Sequence, residues 1–213
     1  MDQDAAYEVE TRVYFHDVAE AMSALPFLKN ILHNEVAWET STYGLALFQS
    51  GKLLRLSNVI WNGSKKVFWG YKGVDIGHQC NIRLERDEEI TGGKEDSLIL
   101  KKIKGKNAPV TPQNVHQLLT DSGHEKFMSF TGTSLIGRSE VHQLSFKLMT
   151  CAILEYPLLL EAEKTAATVD EALQAEQAVQ KFIDQYELNR RIVRKEPPML
   201  LYEKVFCYAG EGH

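Results

Sequence analysis

Tyr7-Glu8-Val9-Glu10-Thr11-Arg12-Val13-Tyr14-Phe15 is the stretch on which the fold of this chain turns. Side chains of an extended segment alternate between two faces, so Glu8, Glu10 and Arg12 leave from one side while Tyr7, Val9, Thr11, Val13 and Phe15 leave from the other. Near the far end, Leu158-Leu159-Leu160-Glu161-Ala162-Glu163 repeats the device, with Glu161 and Glu163 on one face. Between them, cations sit on strand-like segments: Leu53-Leu54-Arg55-Leu56, Phe68-Trp69-Gly70-Tyr71-Lys72-Gly73 and Asn81-Ile82-Arg83-Leu84-Glu85. Carboxylates suit a hard metal ion and cations suit a polyanion, and strands that offer both point to a closed barrel with a charged interior. The competing reading is a set of surface salt-bridge ladders on an ordinary antiparallel sheet. That reading requires five strands to place complementary charges on one face by accident.

Composition fits this picture. The 213 residues suffice for one large domain with a sizeable core, and 44% hydrophobic residues is ordinary for a globular protein. No apolar run reaches membrane-spanning length, and the acidic N-terminus lacks the basic and apolar regions of a signal peptide, so the expected location is the cytoplasm, without a membrane partner. A net charge of -5 argues against a nonspecific nucleic-acid binder. Cys80, Cys151 and Cys207 are odd in number, lack metal-type spacing and lie in apolar contexts, which predicts buried free thiols and no zinc site. The histidines make no recurring pair at ligand spacing. Lys101-Lys102-Ile103-Lys104-Gly105-Lys106 reads as a solvated hairpin edge. Arg190, Arg191, Arg194 and Lys195 read as cations at a helix C-terminus.

Along the chain, Asp17 is positioned to cap a helix toward Leu32, interrupted near Pro26. Strands are expected from Trp38 to Glu89, with Asn62-Gly63-Ser64 and Thr91-Gly92-Gly93 as hairpin turns. Pro112 opens a short helix to about Ser122, two strands flank Leu144, and a further strand follows Pro157. Thr168 and Glu171 form a capping box for a helix whose apolar face is Ala172, Leu173, Val179, Phe182, Ile183 and Tyr186. A last strand is expected from Met199 to Tyr208. Trp38, Trp61 and Trp69 read as core, Trp69 on the parity opposite to Lys72. The fold class is α+β: a closed antiparallel β-barrel with flanking helices, residues 1–213 forming one domain.

These elements resemble the CYTH superfamily, the triphosphate tunnel metalloenzymes, which includes thiamine triphosphatases, inorganic triphosphatases and class IV adenylyl cyclases. The opening E-x-E-x-K of that family corresponds to Glu8-Val9-Glu10-Thr11-Arg12. An Arg on a strand after a turn (Arg55), a Lys ending a strand (Lys72), an R-x-E pair (Arg83, Glu85), a later basic position (Arg138) and a terminal E-x-E (Glu161, Glu163) follow in family order. The resemblance runs from about Tyr7 to Lys164. Four departures stand out: Arg12 replaces the lysine, L-R-x-R reads Leu54-Arg55-Leu56-Ser57, K-x-R reads Ile136-Gly137-Arg138, and Met149-Thr150-Cys151 lies where an acidic residue is expected. Arg12 keeps a cation but cannot act as a base.

The resemblance implies a tunnel in which Arg12, Arg55, Lys72, Arg83 and Arg138 bind a triphosphate or nucleotide, with Arg12 and Lys72 as the catalytic candidates. It implies Mg²⁺ or Mn²⁺ on Glu10, Glu161 and Glu163, with Glu8 as a further ligand and Glu85 holding Arg83 or a water on the metal. Displacement at phosphorus by water defines a triphosphatase. Displacement by the ribose 3′-hydroxyl defines a cyclase, and binding without turnover is a third possibility.

Overall fold

Val9, Val13 and Phe15 bury one side of the first strand, β1 (Ala6–Phe15), against a hydrophobic cluster. That leaves Glu8, Glu10 and Arg12 on the opposite side. The structure, a computed structural model, describes residues 5–207. Seven further strands follow: β2 (Asn34–Tyr43), β3 (Leu53–Trp61), β4 (Ser64–Lys72), β5 (Asn81–Glu89), β6 (Lys126–Ser139), β7 (Leu144–Thr150) and β8 (Leu158–Ala166). In the order β1-β5-β4-β3-β2-β6-β7-β8 they close into an antiparallel barrel. Helices α1 (Val18–Ala24), α2 (Leu45–Gln49), α3 (Leu98–Lys104), α4 (Val115–Thr120), α5 (Val169–Gln185) and α6 (Pro197–Tyr202) flank it. The α+β tunnel-type barrel expected from the alternation is therefore the observed fold.

The contacts divide into two compact units built from interleaved stretches. Unit 1 is mainly Ala37–Asp75 and Arg83–Thr131; unit 2 is mainly Tyr7–Val36, Ile76–Ile82 and the chain from Gly132 onward. In unit 1, Leu54, Leu56, Val67, Trp69 and Tyr71 meet Ile99 and Leu100 of α3 and Val115 and Leu119 of α4. In unit 2, the apolar residues of β1, β7 and β8 meet Ala172, Ala175, Val179, Phe182 and Ile183 of α5. Each helix set covers one face of its strands; Glu8, Glu10 and Arg12 in unit 2 and Arg55 and Glu85 in unit 1 leave from the other, while Glu88 stays on the covered face and accepts from Ser97 Oγ and Leu98 N at the start of α3.

Local signals explain most boundaries. Asp17 accepts from Glu20 N and starts α1, and Pro26 begins a 3₁₀ turn, Pro26–Asn30. Asn62 (φ 49°) and Gly63 (φ 76°) make the two-residue β3–β4 loop whose left-handed backbone matches strand twist. Thr168 accepts from Glu171 N, and the Glu171 carboxylate accepts from Ala167 N to open α5. Leu173 is exposed rather than part of the apolar face. Cys80 and Cys151 are buried free thiols; the Cys207 side chain lies outside the described residues.

Four expectations are corrected. Lys101–Lys106 is not a hairpin edge: Ser97 caps α3, Gly105 (φ 70°) ends it in the left-handed region, and the lysines fill its last turn, where cations match the helix dipole. Thr91-Gly92-Gly93 accordingly leads toward this helix and closes no hairpin. Met199–Cys207 is helical, because Pro197 and Pro198 supply fixed φ at the first turn of α6 and a π-helical turn, Glu203–Cys207, continues it; Tyr208 lies outside the described residues. Trp61, beside the hairpin loop, is exposed, and Trp38 is half-buried, so only Trp69 of the three is fully buried.

Candidate functional site

In unit 2, β1 and β8 pair so that Glu10 lies opposite Glu163 and Arg12 opposite Glu161. On β7, Ser145 faces Glu163 and Lys147 faces Glu161. Directly opposed residues share a face, so Glu10 and Glu163 open onto the same side, as do Arg12, Glu161 and Lys147. Carboxylate oxygens of Glu8, Glu10 and Glu163 all come within 4.8 Å of one another. Burial, then repulsion from Glu8, Glu161 and Glu10, pushes the Glu163 carboxyl up to about 8. Three hard oxygen donors grouped this closely are a donor set that Mg²⁺ or Mn²⁺ takes. The residues present therefore fit a divalent ion.

Arg12, 1% exposed, is tied on all sides. Its Nε donates to Glu161 Oε1 at 2.8 Å, its Nη1 donates to Asn81 Oδ1 at 3.2 Å, and its Nη2 pairs with Glu10. Burial disfavours its charge, but Glu10, Glu161 and Glu196 outweigh that and raise its pKa well above the usual guanidinium value. Lys147 Nζ donates to Glu161 Oε2 at 2.7 Å. Burial raises the Glu161 carboxyl, yet Lys147 and Arg12 together hold it well below the usual range. Glu161 is therefore occupied by two cations and stands outside the three-carboxylate group.

In unit 1, cross-strand rows place Leu53, Lys72 and Glu85 together, and Arg55, Gly70 and Asp87 together. Arg55 Nη2 donates to Glu85 Oε1 at 2.6 Å and to Asp87 Oδ2 at 2.8 Å, and Lys72 Nζ lies 3.3 Å from Glu85 Oε2. Gly70 makes this possible: a Cβ there would stand 2.1 Å from Asp87 Oδ1 and 2.8 Å from Arg55 Nε. Arg83 Nη1 donates to the carbonyls of Gly51 and Gly73, at 2.9 and 3.1 Å. Glu85 thus balances Arg55 and Lys72 and is not among the grouped carboxylates.

The structure brings Glu8, Glu10, Arg12, Glu161 and Glu163 together in one unit, and Arg55, Lys72, Arg83 and Glu85 together in the other. It leaves Arg138 apart: its side chain is 63% exposed and its Nε lies 3.3 Å from Glu140 Oε1. Three partners escaped the sequence reading. Lys147 stands in the alternation Ser145-Phe146-Lys147-Leu148, and Asp87 continues the alternation of Arg83 and Glu85; both signals were available. Asn81 carries no local signal, because its role is set by Arg12, which is far away in sequence.

No family model and no curated protein matches the chain. Solved structures do. A protein from Pyrococcus horikoshii OT3 superposes with a TM-score of 0.71 at 20% identity, covering 92% of this chain and 99% of that one. A proposed adenylate cyclase from Vibrio parahaemolyticus superposes with a TM-score of 0.62 at 15% identity, covering 92% and 97%. A proposed adenylyl cyclase from Hippeastrum, described as having a dominant triphosphatase activity, gives 0.57 at 13% identity, covering 93% and 96%. These likenesses show that the fold, a closed antiparallel barrel flanked by helices, is shared with those proteins. Among the described residues, no helix is long and apolar enough to cross a membrane.

Proposed function

We propose that this chain is a divalent-metal-dependent phosphohydrolase that acts on a triphosphate. The observation that carries this reading is the grouping of Glu8, Glu10 and Glu163 beside the Arg12–Glu161–Lys147 row. Glu8, Glu10 and Glu163 would hold Mg²⁺ or Mn²⁺, which supplies charge neutralisation at the phosphoryl oxygens when bound. Arg55 and Lys72 are donors to phosphate, and the carboxylates that now pair them keep both side chains oriented.

Arg12 is a positioning residue in this scheme, because its guanidinium fixes Glu10 and Glu161 and its raised pKa excludes proton transfer. In hydrolysis, a water oxygen forms the new bond to the terminal phosphorus, the bridging P–O bond breaks, and diphosphate or a nucleoside diphosphate leaves with that bridging oxygen. The water's proton passes to solvent or to a carboxylate. The neighbours described as proposed cyclases favour a second reading, in which a ribose 3′-hydroxyl attacks the α-phosphorus and pyrophosphate leaves.

The test is an assay of the purified protein with Mg²⁺ and Mn²⁺ against inorganic triphosphate, ATP and thiamine triphosphate, resolving products. Metal-dependent phosphate release supports the hydrolase, and pyrophosphate with cyclic AMP replaces it by the cyclase. Binding without products leaves a non-catalytic triphosphate-binding module, and neither binding nor products overturns the reading.

A further inference from the structure

Strand register lays out the carboxylate-bearing face of unit 2 in rows. One row runs Arg138 of β6, Ser145 of β7, Glu163 of β8 and Glu10 of β1; the next runs Ile136, Lys147, Glu161 and Arg12. A third, Ser134, Met149, Leu159 and Tyr14, carries no charged side chain. Directly opposed residues share a face, and residues two apart on a strand are about 7 Å from each other, so Lys147 stands in the row beside Glu163 and Glu10. Its charge reaches them. Burial, Glu8 and Glu161 raise the Glu163 carboxyl, and Lys147 opposes them.

The two cations of the second row are held differently. Arg12 is fully buried, and its planar fork is tied to Glu10, Glu161 and Asn81. Lys147 is a point charge on a flexible stem, its side chain is 36% exposed, and its Nζ donates to Glu161 Oε2. Glu161 therefore draws on two cations for one charge, while Arg12 is shared between Glu161 and Glu10. An ion on Glu8, Glu10 and Glu163 would take over the charge of Glu10 and leave Arg12 to Glu161. The hold of Glu161 on Lys147 weakens at the same step, and an anion that meets the ion arrives in the row beside that ammonium.

We infer that Lys147 couples the anion to the ion: with the ion bound, its ammonium exchanges Glu161 for a phosphate oxygen of the ligand, while Arg12 keeps Glu161 in place. Ion and anion then strengthen each other's binding, and Lys147 carries a share of that coupling. The inference rests on the reading that Glu8, Glu10 and Glu163 hold the ion. It deepens that reading by giving the carboxylate-bearing face a phosphate donor of its own.

The experiment measures, on the full chain by calorimetry, the affinity for Mn²⁺ alone and for inorganic triphosphate at saturating Mn²⁺. The proteins are wild type, Lys147→Gln, Lys147→Arg, and Lys147→Ile combined with Ile136→Lys. Lys147→Gln should weaken triphosphate binding about tenfold, the scale of one charge-assisted hydrogen bond. It should strengthen Mn²⁺ binding about threefold, because a repelling charge leaves the neighbouring row. The opposite signs are the signature of coupling, since a residue that only supported Glu161 would weaken both. Lys147→Arg keeps the charge and should hold triphosphate affinity within about threefold of wild type. The exchanged pair returns an ammonium to the same row from a Cβ about 5 Å away and should recover triphosphate affinity, so a packing defect in the glutamine variant does not hide the result. Triphosphate affinity unchanged by Lys147→Gln, or Mn²⁺ and triphosphate weakened equally, overturns the role of Lys147 and leaves the triphosphatase reading standing. Wild-type protein that binds neither Mn²⁺ nor triphosphate overturns both.

Discussion

The two charged faces are built alike and balanced oppositely. In unit 2, Glu8, Glu10, Glu161 and Glu163 outnumber Arg12 and Lys147, and the cations are spent on Glu10 and Glu161. In unit 1, Arg55, Lys72 and Arg83 outnumber Glu85 and Asp87; Lys72 and Arg83 are buried, and the Arg55–Asp87 pair is open, at 26% and 42% exposed. The carboxylates of unit 2 crowd one another, which raises the Glu163 carboxyl, whereas in unit 1 the Arg55–Asp87 pair lies in reach of solvent. A buried surplus binds its counterion strongly because folding has already met the desolvation penalty; a half-exposed pair must first exchange one partner for another. The comparison predicts that metal chemistry depends steeply on unit 2 residues and that phosphate affinity depends gently on unit 1 residues.

The sharpest way to break this contrast is Glu163→Gln. Removing one of three carboxylates should weaken Mn²⁺ binding about 100-fold, at the upper end of what a perturbed metal shell loses. The same change should stabilise the metal-free protein in alkaline solution. The Glu163 carboxyl sits near 8, above its unfolded value, so wild-type stability falls as pH rises from the ordinary carboxyl range through about 8, and glutamine cannot ionise. Calorimetric titration with Mn²⁺ and thermal melts at pH 6 and pH 9 read both effects. An unchanged Mn²⁺ titration moves the metal site elsewhere.

Arg12 comes next. Replacing it by methionine leaves Glu10 and Glu161 buried with one cation fewer, a change of about 3–5 kcal/mol in stability. Arg12→Lys restores the charge without the planar fork and should recover most stability but not the simultaneous hold on Glu10, Glu161 and Asn81. If Arg12 positions carboxylates, the lysine variant loses Mn²⁺ affinity more than triphosphate affinity. A loss confined to triphosphate affinity would return Arg12 to phosphate binding.

What the sequence made legible follows from the same physics. Strict alternation in Tyr7–Phe15 and Leu158–Glu163 is a local property, and it carried through to the register that sets Glu10 beside Glu163. The Thr168 capping box was local too. A partner set by strand register across a long separation was not: Asn81 on Arg12. Leu45–Gln49 falls within the stretch expected as strands but is helix α2, because Gly44 at φ 71° turns the chain out of the extended conformation. Met199–Cys207 misled because its apolar residues suit a strand, while the stronger signal, Pro197-Pro198 at a helix start, lies just upstream.

A third variant probes how unit 2 holds the entry to β5. One carboxylate oxygen of Glu176 accepts from the backbone N–H of His78, Gln79 and Cys80, at 3.0, 2.7 and 2.9 Å, just before Asn81 reaches Arg12. Burial raises this carboxyl, but the three N–H donors prevail and lower it. Its contribution is therefore present above the unfolded carboxyl range and lost as pH falls through the folded value. Glu176→Gln should destabilise by about 1–2 kcal/mol at neutral pH, with the difference from wild type shrinking in acid. Melting curves at pH 7 and pH 3 check this, and a constant difference across that range would deny the carboxylate its part.

The smallest expected effect belongs to unit 1 and is the most selective test of the comparison. Asp87→Asn removes one of the two carboxylates on Arg55 while leaving Glu85 in place. Because the pair is exposed, stability should change by about 0.5 kcal/mol or less. Triphosphate affinity should rise by a few fold, because Arg55 then gives up less to meet phosphate. Mn²⁺ affinity, set in unit 2, should not move. Binding of inorganic triphosphate and of Mn²⁺, measured separately on this variant, separates the two faces: a gain in the first with no change in the second supports independent halves. A change in Mn²⁺ affinity of similar size would show that the charge balance of one face is felt at the other, and would overturn the division of labour between them.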